Sequence, residues 1–254
     1  MFDQFAMWMK SLSATARAEA HLIATSPAVR TAMMWLWPYA GVITGMDVAA
    51  HYGDATGAAL PAQLFISQDH SFGEYLEYTL TGSCAVMLFV LWRRVGASAY
   101  LANSIMMAWL TLDNAVELHE AFGHWIASSI SLPAASPIKP NDVGEMLFFA
   151  IVGAIWLVGL ASALLGAQPR AAVRSLFIAA GIGGAAVFGV FVDLLVTWGP
   201  HTLSQTDFQA WLEDGGEFAF INLTFLLVVA IFHAERHSKA SGASPRGVSK
   251  PQFV

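Results

Sequence analysis

Asp113, Glu117, Glu120 and His124 stand at i, i+4, i+7 and i+11, a spacing that lines one face of a helix running through them. His70, Glu74 and Glu77 repeat the i, i+4, i+7 pattern, as do Asp47, His51 and Asp54, where Gly53 is placed to end the helix. Shorter versions occur at Asp142 with Glu145, and at Glu213 or Asp214 with Glu217. Carboxylates and imidazoles that converge from several helices are how helical bundles hold metal ions. The Glu-x-x-His pair typical of di-metal bundles is missing here. The single cysteine, Cys84, excludes an internal disulfide and a thiolate zinc cage. The candidate ligand set is Asp113, Glu117, Glu145, Asp193 and Glu217, with His119, His124 or His51 completing the shell. The cofactor is not named by the sequence; a divalent metal (iron, manganese, zinc or copper) is what such a set could hold.

A second reading applies to some of these acids. Glu74, Asp142, Glu213 and Asp214 lie where helices begin, and there the macrodipole favours a carboxylate by a few tenths to about 1 kcal/mol. That account fails for Asp47, Asp113 and Asp193, which close their helices, where the dipole disfavours an anion. For Asp113 and Glu117 the alternatives are cation or proton chemistry and structural hydrogen bonding. His119 and His124 also suit an ordinary membrane interface, and His233 and His237 are read as interfacial only.

The elements that must position these groups follow from composition. The 254 residues are 56% apolar and 12% charged, about half the charged share of soluble domains, which argues for a membrane protein. Six stretches, 31–50, 75–92, 97–117, 145–165, 175–198 and 216–232, approach the ~20 residues that cross a hydrocarbon core. They contain no Lys or Arg, which excludes a retinal Schiff base inside a span. Eleven of the twelve basic residues fall on one side of such a six-span chain, with Lys139 alone on the other. The positive-inside rule makes the basic side cytoplasmic, so both termini are expected inside, in a cell inner membrane. Fifteen of the eighteen acids fall on the outer side. Spans one, three and five end in Asp47, Asp113 and Asp193, whereas spans two, four and six open with Gly73-Glu74, Gly144-Glu145 and Gly216-Glu217.

The expected fold is therefore all-α and polytopic: six transmembrane helices arranged as three antiparallel hairpins. Residues 1–30 should form an amphipathic helix on the membrane surface, with Phe2, Phe5, Met9, Leu12, Ala16, Ala20 and Ile23 opposite Asp3, Lys10 and Glu19. They show no cleavable signal-peptide pattern. Residues 31–237 form the six-helix domain, and the Ser/Gly/Pro-rich segment 238–254 a disordered cytoplasmic tail.

The strings Leu112-Asp113…Leu118-His119-Glu120 and Glu213-Asp214-Gly215-Gly216-Glu217 resemble motifs of uncharacterised bacterial polytopic membrane proteins, a resemblance that implies no activity. The layout of six spans with acid and histidine residues at outer span ends is similar to the C subunit of copper membrane monooxygenases. That family places Asp-x3-His at a span end and a further His at the start of the next span. Here Glu117 and Glu145 stand where those histidines belong, and Asp193-x3-Thr197 and Glu217 depart likewise, while Asp47-x3-His51 fits but lies in another hairpin. If the architecture is shared, these oxygen ligands suit iron, manganese or zinc better than copper.

Three functions are compatible with the sequence. The first is a metal-dependent membrane enzyme or enzyme subunit, acting at the outer boundary on an apolar or lipid substrate. The second is a non-catalytic subunit of a membrane complex, whose acidic rim docks other membrane subunits or a basic soluble protein. The third, a cation transporter, ranks lower because the inner half of the spans carries no acid. The net charge of −6 gives no basic patch for nucleic acid. The lipid bilayer is the one partner common to all three.

Overall fold

The computed structural model describes residues 2–133, 136, 138–192 and 203–240, with side chains except at 2–10, 203–210 and 238–240. Among the described residues the chain is all-α, with eight helices and no strand. Helix α1 is Phe2–Thr25 and α2 is Pro27–Ala55; α3 is Phe72–Val95 and α4 is Ser98–Val116. A ten-residue α5, Leu118–Ala127, precedes α6, Pro140–Leu164. Helix α7, Pro169–Ala186, passes into a π-helical segment, Val187–Val192, and α8 is Leu203–Ala240.

Local chemistry sets these boundaries. Pro27, Pro140 and Pro169 each occupy a first helical turn, where their missing N–H costs nothing. Ser71 caps α3 by accepting from the Glu74 N–H at 3.2 Å. Gly96 ends α3 at φ 77°, the left-handed conformation that glycine adopts without penalty.

Four helical segments are long and apolar enough to cross a membrane: Phe72–Val95, Pro140–Leu164, Pro169–Val192 and Trp211–His237. Helices α2 and α4 occupy the other two expected stretches, α2 carrying Pro38 in its interior. The core lies along α3, α4, α7 and α8, where Leu88, Leu91, Ile178, Val228 and Ile231 are fully buried. Helix α4 packs on α3 and α6, and α7 on α8, whereas α2 leans chiefly on α8 rather than on α3. Helix α6 stands at the periphery, its outer flank of Ile151, Ile155, Leu157 and Val158 exposed. Polar side chains join the helices where apolar packing alone would not fix their register. Thr111 donates to the Thr81 hydroxyl at 2.8 Å, Ser104 to the Ala85 carbonyl at 2.7 Å, and Tyr78 to the Asn114 carbonyl at 2.8 Å.

Helix α1 departs from the expected division of faces. Glu19, expected on the polar face, is turned inward and buried against α7. Its carboxylate accepts from Arg170 Nε and Arg174 Nε, each at 2.6 Å. Arg174 is fully buried and also pairs with Glu235 near the end of α8. The basic residue expected to flank span five thus lies inside α7, and Glu19 and Glu235 come to meet it. Glu19, Arg170, Arg174 and Glu235 form an ion-pair cluster that joins α1, α7 and α8.

Candidate functional site

Helix α4 does not continue into α5. The chain breaks at Glu117, which takes a left-handed backbone at φ 53° and separates the two helices. The continuous face from Asp113 to His124 is therefore replaced by a corner. What the corner achieves is visible at Asp113: this fully buried carboxylate accepts from the His119 N–H and from His119 Nδ1, both at 3.1 Å. It satisfies an orphan donor at the start of α5 and fixes the imidazole. With Nδ1–H donated to Asp113, the lone pair is left on Nε2, the arrangement that carboxylates impose on catalytic and metal-binding histidines. The ring lies 5.1 Å from that of Phe149 on α6.

His119 lines a cavity of about 440 Å³. Ten carboxylates share its walls: Asp69, Glu74, Glu77, Glu117, Glu120, Asp142, Glu145, Glu213, Asp214 and Glu217. No lysine or arginine lines it among the described residues. Two of the acids are engaged in capping, as the dipole reading expects: Asp142 accepts from the Lys139 N–H at 3.1 Å, and Glu74 accepts from the His70 N–H. At the rim His70 Nε2 lies 3.3 Å from Glu117 Oε1, and both residues have positive φ. Further in, Glu77 is nine-tenths buried. Its carboxylate makes no hydrogen bond or ion pair among the described residues, although its backbone carbonyl accepts from Thr81 Oγ1 at 2.8 Å. Below the acids the walls turn apolar, through Met106, Leu110, Met146, Phe149, Ile182 and Ile221. Trp156 lies at the deep end, its indole N–H donating to Asn103 Oδ1 at 3.2 Å while Asn103 donates to the Ser175 carbonyl at 3.1 Å.

The repeated Gly-Glu dipeptides have a steric origin. A Cβ on Gly144 would meet Gly123 Cα at 2.7 Å, so α5 and α6 cross at a pair of glycines. A Cβ on Gly123 would in turn meet Glu145 Cγ at 2.8 Å. Across the cavity the same relation recurs: Gly216 lies under the Phe188 ring, and Gly189 of the π-helical segment under the Glu217 carboxylate. In each pair one glycine lets the helices approach and the other makes room for the glutamate. Gly73 faces the Ile66 side chain, a looser version at 3.3 Å. Insertions of this π-helical kind commonly mark functional sites.

No protein-family model, curated protein or solved structure matches the chain. The site is read from its own geometry.

Of the candidate ligands, Glu117, Glu145, Glu217 and His119 line one cavity, and Asp113 lies directly behind His119. His51 does not join them. It pairs with buried Asp47 at 3.5 Å and packs edge-on against Phe65, while Asp47 accepts from the Ile66 N–H at 2.9 Å, anchoring the loop before α3. His124 is exposed on the outer side of α5, its Nδ1 3.0 Å from Asn141 Nδ2. Asp193 lies outside the described residues. Among the described residues no three His, Cys, Asp or Glu side chains are gathered on one point in metal-ligand geometry. Glu77 belongs with the site although its spacing places it only on the Glu74 face; its signal is an acid one turn inside an apolar run.

Electrostatics around His119 favour charge. Burial by itself would lower the imidazole pKa, but the hydrogen bond and charge of Asp113, aided by Glu145 and Glu120, raise it above the ordinary value. Glu120 is also raised, first by burial and then by Asp69 and Glu117, against the opposing pull of His119 and His124. A metal ion taking Nε2 must displace the His119 proton, so such binding weakens as pH falls.

Proposed function

We propose that the chain is a six-span inner-membrane protein with both ends in the cytoplasm, whose outer cavity binds a divalent metal and serves a membrane enzyme or enzyme subunit acting on an apolar substrate. The observation that carries this reading is a cavity walled by ten acids with no lysine or arginine among the described residues, into which Asp113 presents an oriented histidine. Carboxylates so placed repel one another and are stabilised by a shared cation. His119, Glu145 and Glu217 are the central ligands of the proposal, with Glu117 at the rim. A nitrogen with several carboxylate oxygens suits iron, manganese or zinc. The apolar depth below the acids supports an apolar substrate, and four helices of membrane length support the bilayer location.

Six spans require Arg94 and Arg236 to share one side. Reporter fusions after both should read cytoplasm, and an outer reading at Arg94 would overturn the orientation.

The metal is tested by melting curves in detergent, first with chelator and then with iron, manganese, zinc or copper restored. A bound ion stabilises the folded state in proportion to the logarithm of its concentration over Kd, about 2.7 kcal/mol at a hundredfold excess. The wild type should gain stability with one of these ions, and Asp54→Asn, at an exposed acid, should gain as much. If no ion moves the wild-type transition, the metal reading fails and the acidic rim is better explained as a docking surface for a basic partner.

A further inference from the structure

Most glycines that line the cavity or its helix crossings are explained by close approach, but Gly153 on α6 and Gly183 on α7 are not. A Cβ on either would meet nothing within 4 Å, although both residues line the cavity. They belong to helices that are consecutive in the chain yet do not form a packed pair: α6 packs on α4 and α5, and α7 on α8, α1 and α4. At both positions glycine leaves open the space that a side chain would occupy. The outer flank of α6 is apolar and exposed, as a lipid-facing surface would be.

The interior of the cavity is graded. Inside the rim Glu77 is nine-tenths buried and lines the space, its carboxylate without a hydrogen-bond partner among the described residues. Beneath it run Met106, Leu110 and Ile182, down to Trp156, which Asn103 holds in place. Along α6 the eleven steps from Glu145 to Trp156 correspond to about 16 Å of depth at about 1.5 Å per residue. That is the reach of an extended dodecyl chain. A charge gradient of this sign repels an anionic headgroup and attracts a basic one.

We propose that the substrate class of this site is a single-chain amphiphile with a basic amine head, which enters from the outer leaflet between α6 and α7. The amine sits among Glu77 and the neighbouring acids, and the alkyl chain passes over Gly153 and Gly183 to end against Trp156. This inference rests on the outer-cavity reading above but not on the identity of the metal.

The test uses the full chain in lipid nanodiscs and a photoreactive diazirine-bearing dodecylamine. Labelling should be saturable and should map to the α6 and α7 segments that carry Gly153 and Gly183. Gly153→Leu and Gly183→Leu, which add side chains into open space, should each reduce saturable labelling at least tenfold, and so should Glu77→Gln. Gly159→Leu, also in open space on α6 but away from the cavity lining, should leave it unchanged. Unlabelled dodecylamine should compete, whereas butylamine and dodecyl sulfate should not. Labelling that dodecyl sulfate displaces equally well, or that the leucine variants leave untouched, would overturn the proposal. If those variants keep the metal-dependent melting shift while labelling proves non-specific, the substrate path fails and the metal site stands. Saturable labelling without any metal response would uphold the substrate path and remove the metal site.

Discussion

Replacing Glu19 with glutamine should destabilise the detergent-solubilised protein by roughly 2–3 kcal/mol, less than the cost of a wholly uncompensated buried charge because Glu235 still pairs with Arg174. Arg174 has no exposed surface, and its guanidinium is held between Glu19 and Glu235. Glutamine keeps the size of Glu19 but removes the charge that two arginines share. Arg170 is half exposed and can hydrate; Arg174 cannot. For the same reason Arg170→Gln should cost about 1 kcal/mol or less, as surface-accessible pairs do. Arg174→Met in the Glu19→Gln background should recover part of the loss, because the buried guanidinium that has lost one of its two partners is then gone. Equilibrium unfolding of the four proteins checks this. A Glu19→Gln transition indistinguishable from wild type would mean that α1 does not dock through this cluster.

The second large effect concerns Asp113. Changing it to asparagine should lower metal affinity by about 10–100-fold, the usual consequence of losing the group that orients a ligating histidine. The amide retains an oxygen that can accept from the His119 N–H, so the start of α5 should survive. What is lost is the negative charge that selects Nδ1–H and leaves Nε2 to the cavity. Affinity measured by competition with a chelating dye separates this from a folding defect, because the metal-free melting point should move far less than the affinity. Equal affinity in wild type and Asp113→Asn would show that Asp113 is a structural cap alone.

The residues legible in the sequence are those whose role depends on helical period and charge sign. Glu145 and Glu217 stand out through the repeated Gly-Glu dipeptide, and the structure adds why glycine precedes them: Gly144 and Gly216 allow helix crossings against Gly123 and Phe188. A contact between segments that far apart leaves no periodic trace. Glu117 fits a continuous helical face by spacing, but its left-handed backbone turns the chain, a conformation that no local sequence signal demands of a glutamate. His51 and His124 fit the spacing of the pattern and yet point elsewhere, because period alone does not say which side of a helix meets its neighbours. Glu19 misleads for a related reason: an acid opposite an apolar stripe normally faces water, and only Arg170 and Arg174, more than 150 positions away, make burial favourable. The all-α class and the four apolar helices are legible because they rest on composition and length.

The most direct measurement is pulsed electron paramagnetic resonance on the detergent-purified chain loaded with manganese(II). The account predicts one tightly held ion per chain, with a nitrogen coupling from a directly bound imidazole that disappears in His119→Gln. Carboxylates gathering manganese without order would give a signal lacking that coupling. A nitrogen coupling that persists in His119→Gln, or the absence of any retained ion, would contradict the proposal that His119 and its neighbouring glutamates form a metal centre.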